Sequence, residues 1–206
     1  MDVPPSPAAL TSPATARNRD PILAVLREAL PPAANVLEMA SGAGEHAVWM
    51  ARGLAGVTWR PSDPDPRARA SIAAWRDAEA LPNLEPPLAL DAGEPATWPA
   101  GPFDAVVCIN MVHISPWTAT GGLMAGAGRV LRPGGVLFLY GPYVEDDVET
   151  APSNLAFDAD LRRRNPAWGL RRLEDVKALA QGCGLVLVRR VSMPANNLSL
   201  VFERRA

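Results

Sequence analysis

Short apolar runs alternate with helical patterns along most of this chain. Helical periodicity is clearest over residues 45–54 and from Pro116 to about Leu131. Five segments between such patterns have the length and composition of strands: residues 36–39 (VLEM), 57–61 (VTWRP), 87–91 (PLALD), 103–111 (FDAVVCINM) and 136–141 (VLFLYG). The alternation predicts a doubly wound, Rossmann-like α/β fold with a mostly parallel sheet.

The last third departs from this alternation. Residues 172–185 have the pattern of a helix, and 185–193 and 197–205 have the pattern of two strands separated by a connection short enough for an antiparallel hairpin. These strands bring the predicted sheet to seven. No sheet connection requires the helical segment at 154–164, so we interpret residues 142–170 as an insertion over the substrate side of the sheet.

The amino-terminal residues differ in composition from the rest. Residues 1–16 are rich in Pro, Ala, Ser and Thr, which is typical of a mobile tail. Asp20 and Pro21 have the residue types of a helix start, which predicts that the first helix begins there. At 206 residues the chain is short enough for one core, and we expect a single domain over residues 17–206.

Charge and cysteine content exclude several classes of protein. A net charge of −2 provides no long-range attraction to nucleic acid or to anionic lipid, so we expect neither as a partner. Only Cys108 and Cys183 are present, without a metal-binding motif, and we predict no metal site. Without a recognisable targeting segment or membrane span, the expected location is cytoplasmic.

The loop after the first strand has small residues that let a ligand approach the backbone. It reads Glu38-Met-Ala40-Ser-Gly42-Ala-Gly44, followed by Glu45 at the start of a helix. This differs from the GxGxxG pattern of dinucleotide-binding proteins, because Ala40 replaces the first glycine. Two acids at the loop would repel a pyrophosphate. The pattern therefore favours a ligand that carries an amine or a sulfonium.

Polar residues also follow the next three predicted strands. Asp63, Asp91 and Asn110 each come at a carboxyl end, where open α/β sheets bind their ligands. Asp63 is placed to accept hydrogen bonds from ribose hydroxyls, and Asp91 from an adenine amine. Each residue taken singly is more often a turn residue, but their joint placement favours a nucleoside site.

These segments resemble those of a known class of enzymes. The stretches LEMASGAG, LALDA, FDAVVCINMVHI and RVLRPGGVLFLYGP are similar to class I S-adenosylmethionine-dependent methyltransferases over about residues 35–141. NRDPIL, PSDPDP, CINMVHISPW, YGPY and MPANNL resemble the DUF938, or methyltransferase-like 26, family over nearly the whole chain. The resemblance implies the seven-stranded fold and S-adenosyl-L-methionine as the cofactor.

The resemblance also implies a role for each residue of the loops. Glu38, Gly42 and Gly44 would surround the methionine part, with Ala40 in the place of the family's usual first glycine. The remaining assignments follow the strand order: Asp63 to the ribose, Asp91 to the adenine, and Asn110 to the methionyl end near the transferred methyl group.

Four further residues are candidates for catalysis and acceptor binding. His113 lies three positions beyond Asn110 and is the best candidate for a base; the alternative is a histidine that hydrogen-bonds the backbone at a helix start. Tyr140, Tyr143 and Asn154 fall where an acceptor should approach, although Tyr140 also suits a core position. Trp117, Phe157 and Trp168 fit either an apolar acceptor pocket or packing of the inserted helix.

The sequence therefore predicts a methyltransferase acting on an unidentified small-molecule or protein acceptor. One alternative is a non-catalytic module that keeps the nucleoside site and serves as an interaction surface. Another is a dehydrogenase, which the missing third glycine and the acid at Glu38 disfavour. Nucleic-acid methylation has little support, because the chain has neither an N/DPPY-type segment nor a broad basic face.

Overall fold

The structure is a computed structural model that describes residues 6–205. The helices are α1 (Pro13–Ala29), α2 (Glu45–Gly53), α3 (Pro66–Glu79), α4 (Trp117–Val130), α5 (Pro152–Arg164) and α6 (Leu173–Gln181). The strands are β1 (Ala34–Met39), β2 (Val57–Pro61), β3 (Phe103–Ile109), β4 (Leu131–Gly141), β5 (Tyr143–Val144), β6 (Arg171–Arg172), β7 (Leu185–Met193) and β8 (Asn197–Arg204). Pro95–Thr97 and Pro194–Asn196 form short 3-10 helices.

Six strands form one twisted sheet in the order β2-β1-β3-β4-β8-β7. The first four are parallel, whereas β8 is antiparallel to β4 and β7 is antiparallel to β8. The predicted mostly parallel sheet with an antiparallel carboxyl-terminal hairpin is confirmed. Because Gly141 pairs with Leu198, the start of β8 lies at the same edge as the carboxyl ends of β1 to β4. We call this edge the carboxyl edge.

Helices cover both faces of the sheet, and each face has its own core. On one face, α1, α2 and α3 pack against the sheet around Ile22, Met50 and Trp59, all of which are fully buried. On the other face, α4 and α6 pack around Leu123 and Val176. A strand with both faces covered requires a continuous apolar run, and β3 has one in AVVCI.

The predicted strand at residues 87–91 is absent as a continuous strand. Isolated bridges join Trp59 to Leu84 and Ser62 to Leu88, so the segment does run parallel to β2 at the sheet's outer side. Pro86 and Pro87 lie between the bridges and have no N–H to donate, which interrupts the ladder. The main sheet therefore has six strands, and a broken segment occupies the place of the seventh.

The first helix begins earlier than the sequence pattern predicted. α1 starts at Pro13 and continues through Pro21, so the predicted start at Asp20 is wrong. Within the segment predicted as a tail, the Leu10 N–H donates to Ser71 Oγ at 2.7 Å, and Trp75 Nε1 donates to the Leu10 carbonyl at 2.9 Å. These bonds hold residue 10 against α3. Residues 1–5 of the predicted tail lie outside the described residues.

The segment between β4 and α6 contains the helix that the sheet does not need. β5 and β6 pair in parallel as a two-stranded sheet, and α5 lies between them in the chain. This pairing ties the two ends of the predicted insertion to each other. No helix between residues 6 and 205 has the length and apolar content needed to cross a bilayer.

Candidate functional site

A cavity of about 380 Å³ opens at the carboxyl edge, beside the ends of β1 and β3. Five of the seven residues predicted to bind the cofactor line it: Ala40, Gly42, Asp63, Asp91 and Asn110. Its volume lies within the range of small-molecule sites. Residues that are separated by up to 70 positions in the sequence thus meet in one cavity, as the strand-end argument predicted.

Two loops at this cavity have a backbone conformation that favours glycine. Ala40 has φ 55°, Gly42 has φ 55° and Asn110 has φ 62°. Left-handed backbone costs a residue with a side chain about 1–2 kcal/mol, less for Asn. Such conformations cluster where a chain turns sharply against a ligand. Ala40 therefore occupies a position where glycine would be less strained, which matches its place in the loop pattern.

Asp63 connects the loop after β1 to its own loop after β2. One carboxylate oxygen accepts the Gly42 N–H at 3.0 Å, and the other accepts the Asp65 N–H at 2.9 Å. Each oxygen has a second lone pair, so the carboxylate retains capacity for two further donors, as a ribose diol would supply. Asp65 in turn caps α3 by accepting the Arg67 N–H at 2.8 Å.

Glu38 lies beneath the loop and does not line the cavity. Its Oε2 accepts hydrogen bonds from Ser41 Oγ at 2.9 Å and from Trp59 Nε1 at 3.0 Å. Burial raises the pKa of this carboxyl group from 4.5 to about 7, although the bonds from Trp59 and Ser41 oppose the shift. We predicted contact with the methionine part; the structure places the carboxylate where it supports the loop from below.

Gly44 also lies outside the cavity lining. Close packing against α3 explains why this position is a glycine. A Cβ atom at Gly44 would lie 2.9 Å from the Cα of Ile72 in α3. A Cβ atom at Gly42 would have no neighbouring heavy atom within 4 Å. The two glycines therefore differ: Gly44 lets α2 start against α3, and Gly42 leaves space at the cavity.

Part of the cavity wall was missed by the sequence analysis. It comes from the β3–α4 loop and the start of α4: Met111, Ile114, Ser115, Pro116 and Ala119. For the cofactor site we considered the loop after the first strand and the polar residue at the end of each following strand, but not the apolar residues of this loop. The usable signal is that this loop follows directly from a central strand, so that its residues stay at the carboxyl edge.

His113 does not itself line the cavity, although Met111 and Ile114 of the same loop do, and it is almost fully buried, with 5% of its surface exposed. Its ring packs edge-on against Phe157, with ring centroids 5.6 Å apart. On another side the ring lies so close to Gly141 that a Cβ atom at that residue would be 3.0 Å from Nδ1. Burial, aided by the charge of Arg171, lowers the pKa of His113 to about 4. The imidazole is therefore neutral at physiological pH.

Arg171 holds the β3–α4 loop in place. Its guanidinium donates to the carbonyl oxygens of Val112 at 3.3 Å, Ser115 at 2.7 Å and Ala167 at 2.8 Å. A pair of arginines such as Arg171-Arg172 usually lies on a solvated face. That is wrong for Arg171, because its hydrogen bonds connect the loop that carries His113 to the end of the insertion.

Tyr140 lies on the α1 side of the sheet, away from the other two predicted acceptor residues. Asn18 hydrogen-bonds its hydroxyl, and burial raises the pKa of Tyr140. Asn18 Oδ1 also lies 2.8 Å from Nε2 of His46. Tyr140 is 3% exposed and belongs to the buried core on that face, which was the alternative we considered.

Tyr143 and Asn154 line a second, smaller cavity of about 170 Å³. It lies at the other end of the carboxyl edge, between the segment after β4 and the β7–β8 connection. An ion pair between Arg190 and Glu145, 2.6 Å apart, borders it. Asn154 is fixed there because its Nδ2 donates to the Asn196 carbonyl at 2.9 Å. The two cavities have no lining residue in common.

Metal chemistry has no visible ligand set here. Within residues 6–205, no three His, Cys, Asp or Glu side chains are grouped as a metal would require. Cys108 is buried in β3, where burial raises its thiol pKa to about 12. It is therefore protonated and inert as a nucleophile.

Methyltransferases are among the solved structures that are similar to this chain. A putative O-methyltransferase from Nostoc punctiforme superposes with a TM-score of 0.81 at 16% identity, covering 95% of this chain and 58% of that one. The S-adenosylhomocysteine-bound form of CalO1, a methyltransferase in calicheamicin biosynthesis, gives 0.72 at 16% identity, with coverage of 92% and 54%. The chain therefore spans little more than half the length of these proteins.

A shorter protein matches over nearly its full length. A putative sarcosine dimethylglycine methyltransferase from Galdieria sulphuraria gives a TM-score of 0.71 at 17% identity, covering 96% of this chain and 92% of that one. The fold is thus that of the class I S-adenosylmethionine-dependent methyltransferases. Residues 9–204 match the family described as "Protein of unknown function (DUF938)", and the chain belongs to that family.

Proposed function

We propose that this protein is an S-adenosylmethionine-dependent methyltransferase that acts on a small-molecule acceptor. The observation that carries the proposal is the cavity of about 380 Å³, in which Asp63, Asp91 and Asn110 meet beside two left-handed turns. The likeness to methyltransferases supports it at the level of the fold.

The lining of the cavity suits S-adenosylmethionine. Asp63 accepts hydrogen bonds from the ribose hydroxyls through its remaining lone pairs, and Asp91 accepts one from the adenine amine. Gly42 and Asn110 border the methionine part. The lining contains two carboxylates and no basic side chain, which favours a cationic sulfonium over a pyrophosphate.

Glu38 and Gly44 act on the cofactor site from outside it. Glu38 fixes Ser41 within the loop, and Gly44 fixes the start of α2 against α3. Both set the position of Gly42, which is part of the cavity wall. Their role in binding is therefore to hold the loop in shape, because a displacement of its backbone would alter every contact with the ligand.

The bound cofactor supplies an activated methyl group, so the protein's task is to align an acceptor and exclude water. His113 is neutral and lies next to Gly141 at the end of β4, near Asn110. We assign it as the group that takes the acceptor's proton. Its low pKa keeps the imidazole unprotonated, although it also makes it a weak base.

Tyr143 and Asn154 remain predicted acceptor residues, at the second cavity. The two cavities lie along one carboxyl edge, separated by the end of β4. An acceptor that binds across this edge reaches His113 from the side of the insertion. Tyr140 does not take part in this arrangement, because its side chain lies among core residues on the α1 side.

Calorimetric titration with S-adenosylhomocysteine, S-adenosylmethionine and NAD tests the proposal. We expect both adenosyl ligands to bind, and Asp63→Ala to weaken them by roughly 1–3 kcal/mol through lost charge-assisted hydrogen bonds. Asp77→Ala is the matched control, since that side chain is 72% exposed on α3. Thermal melting establishes that each variant is folded.

Four outcomes would count against the proposal. Equal affinity of the folded Asp63→Ala variant would remove the ribose assignment. Binding of NAD alone would indicate a dehydrogenase. Failure of every ligand to bind would refute the cofactor site, and adenosyl binding without turnover on any acceptor would favour the non-catalytic module.

A further inference from the structure

Exposed apolar side chains are concentrated in the β3–α4 loop, at the start of α4 and in the insertion. Seven large apolar residues among those described are strongly exposed, and five of them lie in the β3–α4 loop, at the start of α4 or in the insertion: Ile114, Trp117, Val148, Leu155 and Phe157. Solvent exposure of apolar surface is unfavourable, and a cluster of it marks a place where something binds.

Three of these residues border the proposed reaction site. Ile114 is 41% exposed and lines the cofactor cavity. Phe157 is 38% exposed and contacts the ring of His113. Trp117 follows Ile114 by three residues, and its ring lies 5.7 Å from the guanidinium of Arg171. We call Ile114, Trp117 and Phe157 the apolar rim; it is continuous with the cofactor cavity through Ile114.

Charged groups next to the apolar rim are already paired. Arg171 is bound to three carbonyl oxygens, and on α5 Asp158 pairs with Arg162 at 2.8 Å. Asp160 pairs with Arg163 on the same helix. A charged ligand at the rim would lose its hydration, and each of these side chains would have to give up a bond within the protein to act as its counter-charge, which is costly. The rim therefore suits an uncharged ligand.

The state of His113 indicates which atom of the ligand reacts. Neither ring nitrogen has a hydrogen-bond partner among residues 6–205, and the ring is neutral. A neutral amine attacks without first losing a proton, whereas a hydroxyl group must release one. A partnerless neutral imidazole beside the site therefore matches a hydroxyl acceptor.

We propose that the apolar rim binds the methyl acceptor, and that the acceptor is a neutral, flat, apolar compound that carries a hydroxyl group. This inference rests on the proposed function. The hydroxyl oxygen forms the new bond to the methyl carbon as the carbon–sulfur bond breaks. The electron pair of that bond stays on sulfur, which leaves neutral S-adenosylhomocysteine, and the hydroxyl proton passes to His113.

The test uses 2-naphthol as a neutral probe and 2-naphthoate as its charged counterpart, titrated by fluorescence into protein saturated with S-adenosylhomocysteine. We expect 2-naphthol to bind about tenfold more tightly than 2-naphthoate, because the rim offers apolar contact and the charged side chains beside it are already hydrogen-bonded within the protein. Phe157→Ser should lower the affinity for 2-naphthol roughly tenfold, because an aromatic contact is lost. With S-adenosylmethionine, mass spectrometry should detect 2-methoxynaphthalene.

Val188→Ser is the matched control, because Val188 is 48% exposed on β7, outside both cavities. It should change neither probe's affinity, and neither variant should change the affinity for S-adenosylhomocysteine. If S-adenosylhomocysteine itself does not bind, the proposed function fails before this inference is reached.

Other results overturn the inference while leaving the cofactor site intact. They are equal affinity for the two probes, absence of saturable 2-naphthol binding, or equal loss in the Val188→Ser control. Sedimentation distinguishes a further case: if the protein is a dimer that Phe157→Ser dissociates, the apolar rim is covered by a second copy and does not hold the acceptor.

Discussion

The two halves of the carboxyl edge are held together by different kinds of contact. The half formed by β1, β2 and β3 contains the proposed cofactor site, and we call it the cofactor half. Buried or partly buried hydrogen bonds fix its loops: Ser41 and Trp59 donate to Glu38, and Gly42 donates to Asp63. The half formed by β4, β8, β7 and the insertion contains the proposed acceptor residues, and we call it the acceptor half. Several of its side-chain links are exposed ion pairs, such as Arg172 with Asp146.

The difference concerns how firmly each half is fixed. Buried hydrogen bonds cannot exchange readily with water, so breaking them leaves unsatisfied groups. Exposed ion pairs contribute little, typically 0–1 kcal/mol, since water and salt replace them. A preformed cavity in the cofactor half beside a more adaptable acceptor half is the consequence. We therefore expect substitutions in the cofactor half to cost more stability than those in the acceptor half.

The largest expected effect comes from a single methyl group at Gly44. Gly44→Ala places a Cβ 2.9 Å from the Ile72 backbone at a residue with φ 92°. Backbone strain and overpacking together should lower the free energy of unfolding by about 3 kcal/mol. Denaturant unfolding measures this loss.

Gly42→Ala is the natural comparison, because its added Cβ meets open space at φ 55°. Gly42→Ala should lower the free energy of unfolding by only about 1 kcal/mol. It should nevertheless weaken the binding of S-adenosylhomocysteine, because Gly42 lines the cavity. If the two variants lose equal stability, close packing of α2 against α3 does not explain Gly44.

A pH-dependent effect is expected next, at Glu38. Its pKa is raised from 4.5 to about 7, so the protonated form stabilises the folded state. That contribution is complete below pH 4.5 and is lost as the pH rises to about 7, by roughly 2–3 kcal/mol. Glu38→Gln keeps an oxygen for Ser41 and Trp59 but cannot ionise, so this loss should be absent from the variant.

The measurement is the free energy of unfolding at pH 5 and pH 8 for both proteins. His46 and His113, whose pKa values are lowered to about 4, act in the opposite direction, because their neutral forms favour folding as the pH rises to 6.5. The contributions of the two histidines are the same in both proteins, so they cancel when the free energy of unfolding of the variant is subtracted from that of the wild type. If the free energies of unfolding of wild type and variant differ by the same amount at pH 5 and at pH 8, Glu38 is ionised at both pH values.

Sequence patterns predicted the cofactor half better than the acceptor half. Asp63, Asp91 and Asn110 follow strands whose carboxyl ends must meet in a parallel sheet, so local patterns and one topological rule were sufficient. Tyr140 and Tyr143 are only three residues apart, yet they lie on opposite faces: the first packs under α1, and the second belongs to the core beside α4 and α6. Nothing local distinguishes them.

Errors elsewhere have the same physical origin. Residue 10 looked like part of a tail because Pro, Ala and Ser lack periodicity, while its actual bonds are to Ser71 and Trp75, more than sixty positions away. Arg171 looked solvent-exposed because an Arg pair usually is. Its three carbonyl partners come from the β3–α4 loop and the insertion, and only the tertiary structure brings them together.

The smallest expected effect lies in the acceptor half, at Asp158. This carboxylate accepts the Leu170 N–H at 2.7 Å and Arg162 Nε at 2.8 Å, which links α5 to the end of the insertion. Asp158→Ala should lower the free energy of unfolding by only about 1 kcal/mol, because both bonds are partly exposed. Local opening should rise more clearly, so hydrogen exchange across residues 142–171 should quicken while the ends of β1 and β3 stay protected.

Asp160→Ala, which removes an exposed ion pair on the same helix, is the control and should change neither the free energy of unfolding nor the exchange. A loss comparable to that of Gly44→Ala, or exchange that quickens equally at both halves, would mean that the carboxyl edge is one cooperative unit and that the acceptor half is not adaptable on its own.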